Sequence, residues 1–270
     1  MYELIKETAE WLKQRMYNHP ETAIVLGTGL GELANDITGK QEFPYAEIPN
    51  FPVSTVEGHN GKLIFGQLGK KDIVAMQGRF HYYEGYSMEQ VTFPIRVFKA
   101  IGIKTVFLSN AAGGMHEDFE IGDLMIISDH INRFPEHPLR GKNNDELGPR
   151  FPDMSDAYSL RLREKAIQIA AELGIKVHQG VYVGTSGPTY ETPSEYKYFK
   201  MIGGNAVGMS TVPEVIVARH AGMEVFAISV ITDLGLEGKI KEVTHEEVQQ
   251  AALAAQPRMT KIMRELINRS

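Results

Sequence analysis

Cysteine is missing altogether from the 270 residues, and tryptophan occurs once. Without cysteine there can be no disulfide framework, thiolate zinc site, iron–sulfur cluster or cysteine nucleophile, and the chain suits a reducing compartment. Also absent is the run of about eighteen apolar residues that a membrane-spanning helix requires. The opening MYELIKETAEWLKQRM mixes charges with apolar residues at helical spacing, unlike a secretory signal. A cytoplasmic protein is therefore expected. The net charge is −6 and no long basic stretch occurs, so no electrostatic footprint for nucleic acid or an anionic membrane is present. No HExxH or paired helical histidines appear among the nine histidines, so no metal is expected. An anionic ligand has to be caught by local donors.

What the chain does hold is ordinary globular material, 43% hydrophobic and 23% charged. A chain of this size buries roughly 75% of its extended surface on folding and needs no staple. Short β-branched, apolar segments predict strands over 22–26, 62–68, 72–77, 105–110, 124–128, 177–183 and 224–231. Helices are expected between many of them. Capping boxes mark three starts: Ser87 with Gln90, Thr192 with Glu195, and Thr244 with Glu247. Pro94 and Pro257 fall inside the helical patterns, so those helices should kink or begin later than the boxes indicate. Residues 156–173 form another amphipathic stretch, stopped by Gly174. The alternation argues one α/β domain over 1–270, a central sheet flanked by helices on both faces. Residues 132–156 hold four prolines and read as a structureless connection of about 25 residues, a length usually reserved for lids, binding loops or intersubunit contacts.

Several loops gather polar chemistry. The turn Gly27-Thr28-Gly29-Leu30-Gly31 comes after the first strand and offers backbone N–H groups plus a hydroxyl, an anion site or merely a tight turn. It is neither a dinucleotide fingerprint nor a P-loop. Residues 78–86, GRFHYYEGY, join Arg79, His81, Tyr83 and Glu84. Arginine clamps an oxyanion bidentately, and the plain alternative is an Arg79–Glu84 pair. His59 sits in a similar loop. Residues 109–114 (SNAAGG) put small residues after an apolar strand, where a backbone can touch a ligand. Tyr190 and Glu191 precede a capped helix. Ser210 and Thr211 set hydroxyls at another helix start, for an anion or for capping. Asp233, beyond the last strand, and His245 complete the set.

In combination these segments closely resemble the trimeric purine nucleoside phosphorylases that act chiefly on 6-oxopurine nucleosides. The likeness rests on IPNFPVSTVEGHNG (48–61), QGRFHYYEGY (77–86), NAAGG (110–114), GPTYET (187–192) and VGMSTVPEVIVARHAGMEV (207–225). It implies phosphate held by Thr28, Arg79, His81, Ser210 and the backbone N–H of Ala111, with His59 nearby. It implies ribose against Tyr83 and Met209, with His245 near the 5′-hydroxyl. The base is expected against Tyr190 and Val207, with Glu191 accepting from the ring N–H. Phe151, in the long connection, matches a phenylalanine that family members insert into a neighbouring subunit's site, which implies a homotrimer. The implied partners are a purine nucleoside and phosphate, the latter a co-substrate, with no cofactor. Asp233, His81 and Glu191 are the expected catalytic residues.

One position departs from the family pattern. An asparagine is usual where this chain has Asp233. An ionised carboxylate only accepts, so it repels a 6-oxo group and welcomes a 6-amino group, whereas a protonated one could donate to the departing purine. The expected activity is reversible phosphorolysis of inosine, guanosine and their deoxy forms in purine salvage. A phosphorylase broadened to adenosine or methylthioadenosine, and a non-catalytic nucleoside- or phosphate-binding protein, are the alternatives.

Overall fold

The computed structural model describes residues 1–27, 31–53 and 61–270. The segments with strand chemistry form a single mixed sheet of nine strands: β1 (Thr22–Leu26), β2 (Thr38–Pro44), β3 (Lys62–Leu68), β4 (Lys71–Gln77), β5 (Thr105–Gly114), β6 (Leu124–Asn132), β7 (Val177–Gly184), β8 (Ala206–Gly208) and β9 (Glu224–Leu234). Six helices accompany them among the described residues: α1 (Tyr2–Lys13), α2 (Met88–Ile101), α3 (Leu160–Glu172), α4 (Pro193–Met201), α5 (Val212–His220) and α6 (His245–Arg269). The α/β class with helices on both faces is as expected. Strand β1 shows why: Ala23 and Val25 point into one apolar cluster with α1, α2 and α5, while Ile24 and Leu26 point into another with α3 and α6.

The strand order is β2-β3-β4-β1-β5-β8-β7-β6-β9, and β9 returns to pair with β5. The second half of the sheet thus closes on itself. Strand β5 is the hub, parallel to β1 over its first residues and to β9 along its whole length. Pairing with β1 ends at Leu108, and the antiparallel pairing with β8 begins only at Gly113. Among the described residues, the intervening backbone edge of 109–112 has no sheet partner on that side. A bulge in the β5–β9 ladder shifts the register so that Ala112 faces Ile231 but Gly113 faces Asp233. The extra residue, Thr232, re-aims the end of β9.

Local chemistry explains the helix boundaries. The boxes at Ser87, Thr192 and Thr244 all form, each hydroxyl accepting from the backbone N–H three residues on. Two expectations need correction. Helices α2 and α6 begin at their boxes and run on through Pro94 and Pro257, so of the expected kink or late start the late start does not occur. Residues 109–114 are not a turn after a strand; they are the end of β5, which continues to Gly114 because β9 supports it on one side. Strands β2 and β8 were not expected: the first is polar and mostly exposed, and the second is three residues long. Residues 133–159 carry no helix or strand, in line with the long connection read from the sequence. No helix among the described residues is long and apolar enough to cross a membrane.

Candidate active site

A cleft of about 680 Å³ lies where the parallel strands reach their carboxyl ends, the usual ligand position of such sheets. Gly27 comes just after β1, Arg79 and His81 come after β4, and Asn110, Ala111 and Gly113 end β5. Met209 and Ser210 come after β8, Thr232 and Asp233 end β9, and His245 opens α6. Of the residues singled out from sequence, Arg79, His81, Tyr83, Ala111, Tyr190, Glu191, Val207, Met209, Ser210, Asp233 and His245 all line this one cleft. Phe151 does not; it is 88% exposed, on the long connection. Thr28 and His59 lie outside the described residues.

One end of the cleft is a preassembled set of donors. Arg79 is 1% exposed, and its Nη1 donates to Ser210 Oγ at 2.8 Å and to Thr211 Oγ1 at 3.3 Å. Its Nε lies 3.6 Å from Glu214 Oε1, so the buried cation is balanced by a buried anion on α5. The alternative Arg79–Glu84 pair is not what forms. Glu84 instead accepts from the His81 backbone N–H at 2.8 Å and lies 3.0 Å from His81 Nδ1, which assigns the ring hydrogen to Nδ1. The imidazole stacks on Tyr83 with ring centroids 4.7 Å apart. Burial lowers the His81 pKa below its ordinary value, and the Arg79 charge adds to this while the Glu84 hydrogen bond opposes it.

Thr211 joins these parts. It is fully buried at the start of α5 with φ of +68°, a conformation that costs a β-branched residue on the order of 1–3 kcal/mol. Asn110 donates to its Oγ1 at 2.8 Å, and its own backbone N–H donates to Glu214 Oε2 at 3.0 Å. The strained turn presents the Ser210 hydroxyl at the cleft wall beside Arg79. Sequence reasoning gave Glu214 and Asn110 no role in the site, and left Thr211 as either an anion donor or a cap. A carboxylate three residues after a hydroxyl at a helix start was visible, but it reads as capping until Arg79 is known to pack there.

The other end is acidic and aromatic. Tyr190 and Glu191 come from the β7–α4 connection, and Asp233 comes from the bulged end of β9. Burial pushes the Glu191 carboxyl up to about 7, and the charge of Asp233 adds to the effect. Asp233 is 8% exposed; its Oδ2 accepts from Tyr196 Oη at 2.6 Å and its Oδ1 from Thr232 Oγ1 at 3.1 Å. Sequence reasoning missed Tyr196, since a tyrosine in an amphipathic helix signals only core. Between the two ends lie Tyr83, Met209 and His245. Among the described residues no group of three or more histidine or acidic side chains is arranged to hold a metal ion.

Comparison with known proteins adds an independent line. The phosphorylase superfamily model matches residues 21–268. Purine nucleoside phosphorylase 1 of Geobacillus stearothermophilus is 55% identical over 244 residues, covering 90% of this chain and 89% of that protein. The Rattus norvegicus purine nucleoside phosphorylase is 48% identical over 262 residues, covering 94% and 90%. The crystal structure of Schistosoma mansoni purine nucleoside phosphorylase in complex with adenosine superposes with a TM-score of 0.93 at 42% identity, covering 98% of this chain and 96% of that one. The complex with inosine gives 0.94 at 41%, covering 99% and 96%. The cleft's donor set and the match along nearly the whole chain agree: the chain belongs to the phosphorylase superfamily and, within it, to the purine nucleoside phosphorylases.

Proposed function

We propose that the chain catalyses the reversible phosphorolysis of purine nucleosides, with inosine, guanosine and their deoxy forms giving the free base and (deoxy)ribose 1-phosphate. The observation that carries this is the polarity of one cleft: a buried arginine with hydroxyl and imidazole donors at one end, Glu191 beside an aromatic ring at the other, with Tyr83, Met209 and His245 also in its lining. Phosphate would be held by Arg79, His81, Ser210 and the Ala111 N–H, with Thr28 and His59 supplying further donors. Ribose would lie against Tyr83 and Met209 with its 5′-hydroxyl near His245. The purine would rest on Tyr190 and Val207, its edge toward Glu191 and Asp233.

In this reaction a phosphate oxygen attacks the anomeric carbon as the bond to the purine nitrogen breaks. The electron pair leaves with the base, a proton then neutralises the base, and the sugar inverts to the 1-phosphate. The transition state is oxocarbenium-like and no covalent bond to the enzyme is needed. The residues act by fixing phosphate opposite the leaving group and by interacting with charge as it moves onto the purine. Inorganic phosphate is the co-substrate and no cofactor takes part. The whole chain acts as one domain in a cytoplasmic purine salvage step. A homotrimer, in which the exposed Phe151 of one subunit reaches its neighbour's cleft, is part of the same reading.

The test measures hypoxanthine and guanine release from inosine and guanosine with and without phosphate, together with ribose 1-phosphate. Phosphate-dependent release in equal amounts of base and sugar phosphate is expected. Binding without release would make the chain a nucleoside-binding protein and overturn the proposal. Sedimentation at assay concentration is expected to give three subunits; a monomer with full activity would remove the role of Phe151.

A further inference from the structure

We infer that Tyr196 is a specificity-determining positioning residue: by donating its phenolic hydrogen to Asp233 it keeps that carboxylate an acceptor, so that the cleft admits 6-aminopurine nucleosides alongside 6-oxopurine ones. The inference rests on the phosphorylase reading above and concerns the base end of the same cleft.

The geometry is specific. Tyr196 lies on α4 and is 4% exposed, and its hydroxyl approaches Asp233 Oδ2 to 2.6 Å. The ring is seated in a slot made by two glycines. A Cβ on Gly235 would stand 2.0 Å from the ring's Cδ1, and one on Gly113 would stand 2.8 Å from the hydroxyl and 2.9 Å from Asp233 Oδ2. Such distances exclude any side chain at either position unless the ring moves. The phenol is therefore fixed against the carboxylate, and Thr232 Oγ1 engages the second carboxylate oxygen at 3.1 Å. The carboxylate thus accepts at both of its oxygens. Burial and the Asp233 charge hold the Tyr196 hydroxyl far above its ordinary titration range, so it remains a donor.

The consequence falls on Glu191. It also faces the Tyr196 hydroxyl, and that contact and a backbone N–H favour its ionised form, but burial outweighs them and the 2.6 Å contact of the phenol is to Asp233. The charges that act on Glu191 are those of Asp233 and Glu195, both negative. Burial and these negative neighbours thus favour a proton on Glu191. A protonated Glu191 donates to a ring nitrogen that lacks hydrogen, and Asp233 accepts from an exocyclic amine. That is the edge of a 6-aminopurine; a 6-oxopurine presents the reverse pattern, a ring N–H and an acceptor oxygen. With Glu191 ionised, the ring N–H of inosine is accepted, and Asp233 is then the unfavourable neighbour of its oxygen.

The test compares wild type with Tyr196→Phe, which removes one oxygen and keeps the ring in its slot. Phosphate-dependent cleavage of adenosine and inosine is measured at saturating phosphate. Wild type is expected to cleave both. In Y196F, kcat/KM for adenosine is expected to fall about tenfold or more while that for inosine holds or rises, since Asp233 loses the hydroxyl that engages its Oδ2. A loss shared equally by both substrates, as a merely structural role would give, overturns the inference, and so does a wild type that cleaves inosine but not adenosine. If Y196F folds but turns over too slowly, calorimetric binding of adenine and hypoxanthine in the presence of phosphate reads the same preference; an unchanged ratio overturns it. Absence of phosphate-dependent cleavage of either nucleoside by wild type would instead overturn the phosphorylase reading itself.

Discussion

The two ends of the cleft solve opposite electrostatic problems. At one end the charges are matched before any ligand arrives: Arg79 faces Glu214, His81 faces Glu84, and Thr211 is held by Asn110 and Glu214. At the other, Glu191 and Asp233 are like-charged groups in a desolvated place, and a phenol rather than a cation stands between them. The first arrangement has its partners in place beforehand. The second is poised, because one proton more or less alters which groups donate. A buried site can thus combine a fixed grip on one substrate with an adjustable reading of the other.

Breaking the matched end should have the largest effect. Arg79→Ala is expected to lower kcat/KM for phosphate on the order of 1,000-fold, and to cost about 3–5 kcal/mol of stability because Glu214 is left buried without its partner. Replacing both, R79M with E214M, should restore much of the stability in thermal unfolding but none of the phosphorolysis, which separates charge balance from function. At the poised end, Glu191→Gln should reduce inosine kcat/KM roughly a hundredfold, with a similar loss for guanosine. A smaller effect sharpens the contrast. Because the Glu191 carboxyl is pushed up to about 7, adenosine turnover should decline and inosine turnover rise as pH increases through that value. Their ratio should fall about tenfold per unit, and E191Q should flatten it. A ratio independent of pH in wild type would mean that Glu191 does not titrate there.

The least effect is on folding itself, and its sign differs between the ends. Glu191 has a raised folded pKa, so its contribution is present in acid and is lost as pH climbs from its ordinary 4.5 to about 7. His81 has a lowered folded pKa, so its contribution is present above its ordinary 6.5 and is lost as pH falls below that. Urea midpoints across pH should show E191Q removing the decline on the rising side and His81→Gln removing the loss on the acid side.

Much of the fold was legible in the sequence, because β-branched runs and capping boxes act locally. Strand β1, with helices α2, α4 and α6, began where local chemistry said they would. Strands β5 and β9 were read too short, since their last residues are small or polar and are held in the ladder by each other rather than by propensity. Strand β8 has only three residues, too few for any period to register. The cleft residues were legible as loops rich in polar groups. Their grouping was not, because Arg79 and Glu214, or Tyr196 and Asp233, lie far apart in the chain and meet only in the folded structure. The bulge at Thr232 left no mark in the sequence, yet it brings Asp233 opposite Gly113.

The return of β9 to β5 bears also on how copies of this chain can associate. Among the described residues the outer border of the sheet's open half is β2, which carries Lys40 and Glu42 and ends at Pro44. Charged side chains and a terminal proline are poor invitations to another strand. That border offers another copy of the chain little for a backbone ladder. The proposed homotrimer would then rest on side-chain contacts, such as that of Phe151, which leave the hydrogen-bonded frame of each subunit untouched.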